Sequence, residues 1–87
     1  MSQYEVLRED PIVSGTFRRW AVFGTAGFSR PDKDASMRDK LLVAHTAGLL
    51  PGPLEAGRYI VVSEWSGAQA LVLVEEVPQS KLMVKPG

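Results

Sequence analysis

Residues 58–76 constrain the fold most, because two β-prone runs meet there at a Ser66-Gly67 step. A two-residue turn at that step predicts a hairpin with Trp65 facing Ala68, Val62 facing Leu71, Val61 facing Val72, Ile60 facing Leu73, Tyr59 facing Val74 and Arg58 facing Glu75. Aromatic and β-branched residues then oppose each other, and opposite charges meet at the open end. Successive strand residues point to opposite faces. One face therefore carries Tyr59, Val61, Trp65, Val72 and Val74, and the face behind it is apolar as well. A sheet of this kind must be covered twice.

The chain that has to provide this cover is short. Its 87 residues make one domain, 1–87, with 45% apolar and 23% charged residues. A domain this size hides only roughly 60–65% of its unfolded surface, so its stability margin is small. It has no cysteine, which excludes disulfides, thiolate nucleophiles, iron–sulfur clusters and cysteine zinc sites. The absence of cysteine also favours an intracellular setting. The first twenty residues lack the apolar core of a signal peptide. The uncharged run 41–54 is broken by Gly48, Pro51, Gly52 and Pro53 and is too short to span a bilayer. A soluble, cytoplasmic protein with no membrane partner is expected.

Formal net charge is zero but unevenly spread: residues 1–10 sum to −2, residues 11–40 to +3, and the remainder to −1. Any basic surface therefore lies in the middle of the chain, though an excess of three does not compel a polyanionic partner.

Around the hairpin the other elements fall into place. Residues 3–8 suit a short first strand, ended by Glu9-Asp10-Pro11. Residues 12–24 are rich in β-formers, with Gly15 as a bulge or bend. Alternation there sends Arg18, Trp20 and Val22 one way, and Phe17, Arg19, Ala21 and Phe23 the other. Residues 28–33 read as a polar loop around Arg30-Pro31-Asp32. Ser36 followed by Asp39 fits a capping box, with Asp34 as a rival cap. Met37, Leu41, Ala44 and Gly48 recur at helical spacing, Gly48 is a left-handed stop and Pro51 blocks a restart. The spacing predicts a helix over about 36–47. Residues 49–57 form a connector that lays Leu49, Leu50 and Leu54 across the core. Pro78-Gln79 reads as a turn, and residues 81–85 as a third strand with edge-protecting lysines.

The fold class is therefore α+β: a mostly antiparallel sheet of four or five strands, open or curled toward a barrel, with one helix on one face. The second apolar face must be closed by curling, by the N-terminal strands as a second layer, or by a partner.

No motif supplies a catalytic set. His45 is the only histidine and sits in the last turn of the helix, where it suits the dipole. Three or four metal ligands would have to come mostly from carboxylates. Asp32-Lys33-Asp34 lacks the glycine and terminal glutamate of a calcium loop. Glu75-Glu76 would point to opposite faces and cannot form an acid–base pair. Gly24-Thr25-Ala26-Gly27 is followed by Phe28-Ser29, where a phosphate loop needs lysine, and no helix opens from it. No catalytic residue, cofactor or metal is expected.

Phe17-Arg18-Arg19-Trp20 is the most suggestive string, since arginines beside aromatics suit phosphates, bases or protein hot spots. Phe28 and Leu49-Leu50-Pro51 add apolar loop residues. The leading expectation is a non-enzymatic protein–protein interaction module (inhibitor, adaptor or small subunit) that binds another protein or itself. It would use an aromatic and arginine surface built from Arg18, Arg19, Trp20, Phe28, Arg30 and Arg38, or a sheet edge. The alternatives are a nucleic-acid-binding module using residues 17–40, and a small-ligand or catalytic site around His45.

Overall fold

The fold is given by a computed structural model that describes residues 3–75. Strands β1 (Gln3–Glu9) and β2 (Phe17–Gly24), helices α1 (Arg30–Lys33) and α2 (Met37–Thr46), and strands β3 (Gly57–Ser63) and β4 (Gln69–Val74) follow in that order. The strands form one antiparallel sheet in the spatial order β2-β1-β3-β4. The α+β architecture expected from the sequence is the observed one. The N-terminal strands join the hairpin edge to edge, so they extend its layer and do not cover it. The turn at Pro78-Gln79 and the strand at 81–85 lie outside the described residues.

Both helices start on serine caps. The Ser36 hydroxyl accepts from the Asp39 N–H at 3.2 Å, as the capping motif predicts. The C-terminus of α2 closes as a Schellman motif: Gly48 is left-handed (φ 76°), its N–H donates to His45 O, and Leu49 N–H donates to Ala44 O. Asp34, the rival cap, instead ends α1. That one-turn helix replaces the expected loop. Ser29 accepts from Asp32 N–H, and Pro31 presets the helical φ where no donor is needed.

The hairpin register differs from the predicted one. Tyr59 pairs with Val72, Ile60 with Leu71, Val61 with Ala70 and Arg58 with Leu73. The connection is the four-residue loop 64–67, with Ser63 N–H donating to Ala68 O and Gly67 N–H to Ser63 O. The Ser63 hydroxyl accepts from Ser66 N–H, and Gly67 takes the left-handed conformation (φ 77°). Side-chain hydrogen bonds and a glycine at the end of the loop favour the longer turn. The slip is two residues, so the side chains that stay within the paired strands keep their faces. Arg58 no longer meets Glu75. It bonds the Glu9 carboxylate with Nε and Nη2, at 2.8 and 2.5 Å.

A second irregularity resets β2. Val6 pairs with Ala21 but Leu7 with Arg19, which leaves Trp20 as the extra residue of a bulge. Ala21 and Phe23 face the core, and Trp20 turns in beside them with its ring 5.7 Å from that of Tyr59. Trp20 and Val22 therefore do not share a face, nor do Arg19 and Ala21. The strand also begins later than expected, at Phe17 and not Ile12, because Asp10 and Glu9 take the N–H groups of residues 12, 13 and 15.

The core lies between the sheet and α2. Tyr4, Val6, Ala21, Phe23, Tyr59, Val61, Val72 and Val74 supply one side; Leu41, Ala44, Phe28 and Leu54 supply the other. The helix thus covers the Tyr59–Val61–Val72–Val74 face, the one expected to need another cover, and among the described residues no element covers its reverse. Trp65 is not part of either face: it stands 85% exposed in the 64–67 loop. The connector is pinned to this side by Leu54, by the Tyr59 hydroxyl donating to Glu55 O at 2.7 Å, and by the Arg8–Glu55 ion pair. Lys40 is buried, its ammonium donating to Ala35 O and lying 5.6 Å from the centre of the Tyr4 ring. At dilute concentration, Leu41→Ala should cost about 3 kcal/mol in urea unfolding. Leu71→Ala should stay within about 0.5 kcal/mol of the parent; comparable losses would mean that the faces are assigned the wrong way round.

Candidate functional site

The reverse of the sheet is where apolar surface remains. On β3, Ile60 and Val62 alternate with the buried Tyr59 and Val61; on β4, Leu71 and Leu73 alternate with Val72 and Val74. Leu7 on β1 is level with Ile60, which is level with Leu71, so these three form one row across adjacent strands. Val62 and Leu73 lie to either side of it. Leu71 is 64% and Leu73 53% exposed, and Ile60, Val62 and Leu7 are half-buried by their neighbours. Val22, opposite Glu5, extends the patch onto β2. Contiguous apolar surface of this kind commonly marks an interaction site.

Its charged members are already paired. Glu5 accepts from Arg19 Nε at 2.6 Å, and Glu9 holds Arg58. These pairs border the row on the β1–β2 side and at the Glu9 end. They leave the face with charged groups that cancel.

The sheet ends carry further exposed apolar side chains. Loop 10–16 presents Ile12 and Val13 to solvent while its backbone is tied down: the Asp10 carboxylate accepts from both their N–H groups, Glu9 accepts from Gly15 N–H, and Asp10 N–H donates to Thr16 O. Trp65 stands at the opposite end, since β3 and β4 meet there. A cleft of about 170 Å³ lies beside loop 10–16, between Arg8, Glu9, Asp10 and Ser14 on one side and Gly57 and Arg58 on the other. Arg8, Glu9, Asp10 and Arg58 are each engaged in an ion pair within the chain.

The six residues singled out from the sequence do not converge. Phe28 is buried, its ring stacked on Phe23 at 6.1 Å, and Trp20 packs on the core. Arg18 is exposed and pairs with Asp10 at 3.3 Å. Arg19 lies on the open face with Glu5. Arg30 opens α1 and Arg38 lies in the first turn of α2, both exposed, with Arg38 3.6 Å from Asp39. The basic string is thus divided between the two sides of the sheet. His45 is half-buried in the last turn of α2 and does not line the cleft. Among the described residues no three histidine, cysteine, aspartate or glutamate side chains gather as a metal site. Thr25 and Phe28 close a simple turn after β2, with Phe28 N–H donating to Thr25 O. Sequence reasoning passed over Leu7, Ile60, Leu71 and Leu73 as site candidates, although their alternation with the core residues was there to be read.

No protein-family model matches the chain, and no curated protein or solved structure matches it either.

Electrostatics at loop 10–16 gives this end of the sheet a pH response. The Arg58 guanidinium, then the Gly15 N–H, hold the Glu9 carboxyl below its ordinary value of 4.5. The N–H groups of Ile12 and Val13, followed by the charge of Arg18, hold Asp10 below 3.8. A carboxyl depressed in the folded state binds its proton more readily when unfolded, so its contribution is present above the ordinary value and is lost as pH falls through the depressed one. Urea midpoints should therefore decline below about pH 4.5. Glu9→Gln should flatten that decline; an unchanged acid limb would show that the Glu9–Arg58 pair contributes nothing to it.

Proposed function

We propose that this chain is a non-enzymatic protein–protein interaction module whose working surface is the open face of the sheet. The observation that carries the reading is the row Leu7–Ile60–Leu71 with Leu73 and Val62 beside it, apolar and left uncovered by α2 among the described residues. Burial of such surface is the main driving force of association, at roughly 25 cal/mol per Å² removed from water. The expected aromatic and arginine surface is less well supported as a unit, because Trp20 and Phe28 serve the core and Arg18 and Arg19 are paired with acids. A nucleic-acid role draws less support for the same reason: phosphates would have to compete with Asp10 and Glu5 for the two arginines, and Lys40 is buried. The module is proposed to work in the cytoplasm, in keeping with its lack of cysteine. Among the described residues no helix is long and apolar enough to cross a membrane.

The test compares complexes retained by the tagged full chain and by a Leu71→Glu, Leu73→Glu variant whose folding is verified by circular dichroism. Both positions are exposed, so the fold should persist while association with protein, self or other, falls by at least about 100-fold, or about 2.7 kcal/mol. A folded double variant with undiminished associations would overturn the reading. So would a wild-type chain that binds only short DNA or RNA, with the binding lost in Arg18→Ala plus Arg30→Ala.

A further inference from the structure

We propose that loop 10–16 is an acid-released latch: the charged carboxylates of Glu9 and Asp10 hold it shut, and their protonation opens it while the sheet and α2 stay folded. Burial does not anchor this loop. Residues 11–15 are all exposed, Ile12 to 88%, so opening the loop bares no core surface. Hydrogen bonds hold it instead. Asp10 Oδ1 accepts from Ile12 N–H at 2.7 Å and from Val13 N–H at 3.0 Å, and Glu9 Oε2 accepts from Gly15 N–H at 2.8 Å. Two backbone bonds, Asp10 N–H to Thr16 O and Thr16 N–H to Val13 O, complete the closure. The carboxylates are themselves fixed from outside the loop. Arg58 of β3 donates to Glu9 with Nε and Nη2, and Arg18 of β2 lies 3.3 Å from Asp10. The Ser14 hydroxyl favours the Glu9 carboxylate too. Arg8 of β1 lines the adjoining cleft, paired with Glu55 of the connector, and no residue of α1 or α2 lines it. Glu9 and Asp10 thus meet guanidinium groups and hydrogen-bond donors, all of which favour the charged carboxylate.

A proton on either carboxyl removes the charge that these donors answer. Opening returns each carboxyl toward its ordinary value, 4.5 for Glu9 and 3.8 for Asp10. Both are depressed in the closed loop. The closed form is therefore favoured in full above the ordinary values, and that advantage is lost as pH falls through the depressed ones. Arg58 and Arg18 keep their charge throughout. Low pH thus turns this end of the sheet from a closed, charge-balanced loop into an open, cationic one. The core takes no part. Its buried polar and charged members among the described residues are Thr25, Lys40 and Ser63, none of them a carboxylic acid. Loop and core are accordingly separate units of opening.

Amide hydrogen exchange of the full chain, each rate divided by that of the unstructured amide at the same pH, reads the two units separately. From about pH 6 to about pH 3, protection of the Ile12, Val13 and Gly15 N–H groups should fall at least about tenfold, a factor of ten for each pKa unit by which the two carboxyls together are depressed. Ile60 and Val61 in the central strand β3 should keep their protection to within about threefold. Glu9→Gln with Asp10→Asn should show the low loop protection already at about pH 6, with no further loss in acid. Glu5→Gln, at a carboxylate that pairs with Arg19, should behave as the parent. A smaller fall in loop protection, or one that Ile60 and Val61 share, would overturn the latch. So would a folded double variant whose loop is as well protected as the parent's. If the double variant fails to fold, the wild-type profile still decides.

Discussion

One helix can shield one face of a four-stranded sheet, and the rest of this molecule follows from which face α2 takes. Tyr59, Val61, Val6 and Leu41 are fully buried between the two layers. Around them the connector, the Tyr59–Glu55 hydrogen bond and the Lys40 ammonium over Tyr4 close the perimeter. Strand alternation then leaves Leu7, Ile60, Leu71 and Leu73 no choice: they occupy the reverse, where no second helix arrives among the described residues. The exposed leucines are thus the geometric consequence of how the core is built. Moving them inward would require a one-residue slip that would expose Tyr59 and Val61 instead.

Much of this architecture was legible because it rests on local chemistry. Ser36, the 3.6-residue spacing through Ala44 and the left-handed Gly48 specify α2 to within a residue, and each of these features acts within a turn of where it sits. The strands of the hairpin were legible for the same reason. Their register was not, since the choice between a two-residue and a four-residue turn depends on the Ser63 hydroxyl reaching Ser66 N–H. Trp20 was misassigned because a bulge obeys no periodicity; it depends on pairing with β1, which is a long-range event. Helix α1 was missed although Ser29 and Pro31 signalled it, because a single turn carries no apolar repeat.

The candidate site was harder to read because the sequence draws the eye to arginines and aromatics, while exposure is decided by tertiary packing. Phe28 looked like a loop aromatic and is a core residue. Alternation already put Arg18 and Arg19 on opposite faces, but the acid each one meets, Asp10 or Glu5, is concealed by sequence distance. The residues left on the surface are ordinary leucines and an isoleucine, which differ from core residues only in which side of the sheet they occupy. The proposed interaction surface is thus an apolar face that α2 leaves uncovered among the described residues.

The central claim is that α2 lies on the Tyr59–Val61–Val72–Val74 face. Methyl and aromatic nuclear Overhauser measurements on the isotopically labelled chain test it most directly. Cross-peaks are expected from the Leu41 and Ala44 methyls to Val61, Val72 and the Tyr59 ring, with none to Leu71 or Leu73. Cross-peaks from Leu41 to Leu71 and Leu73 would place the helix on the opposite face and contradict the account.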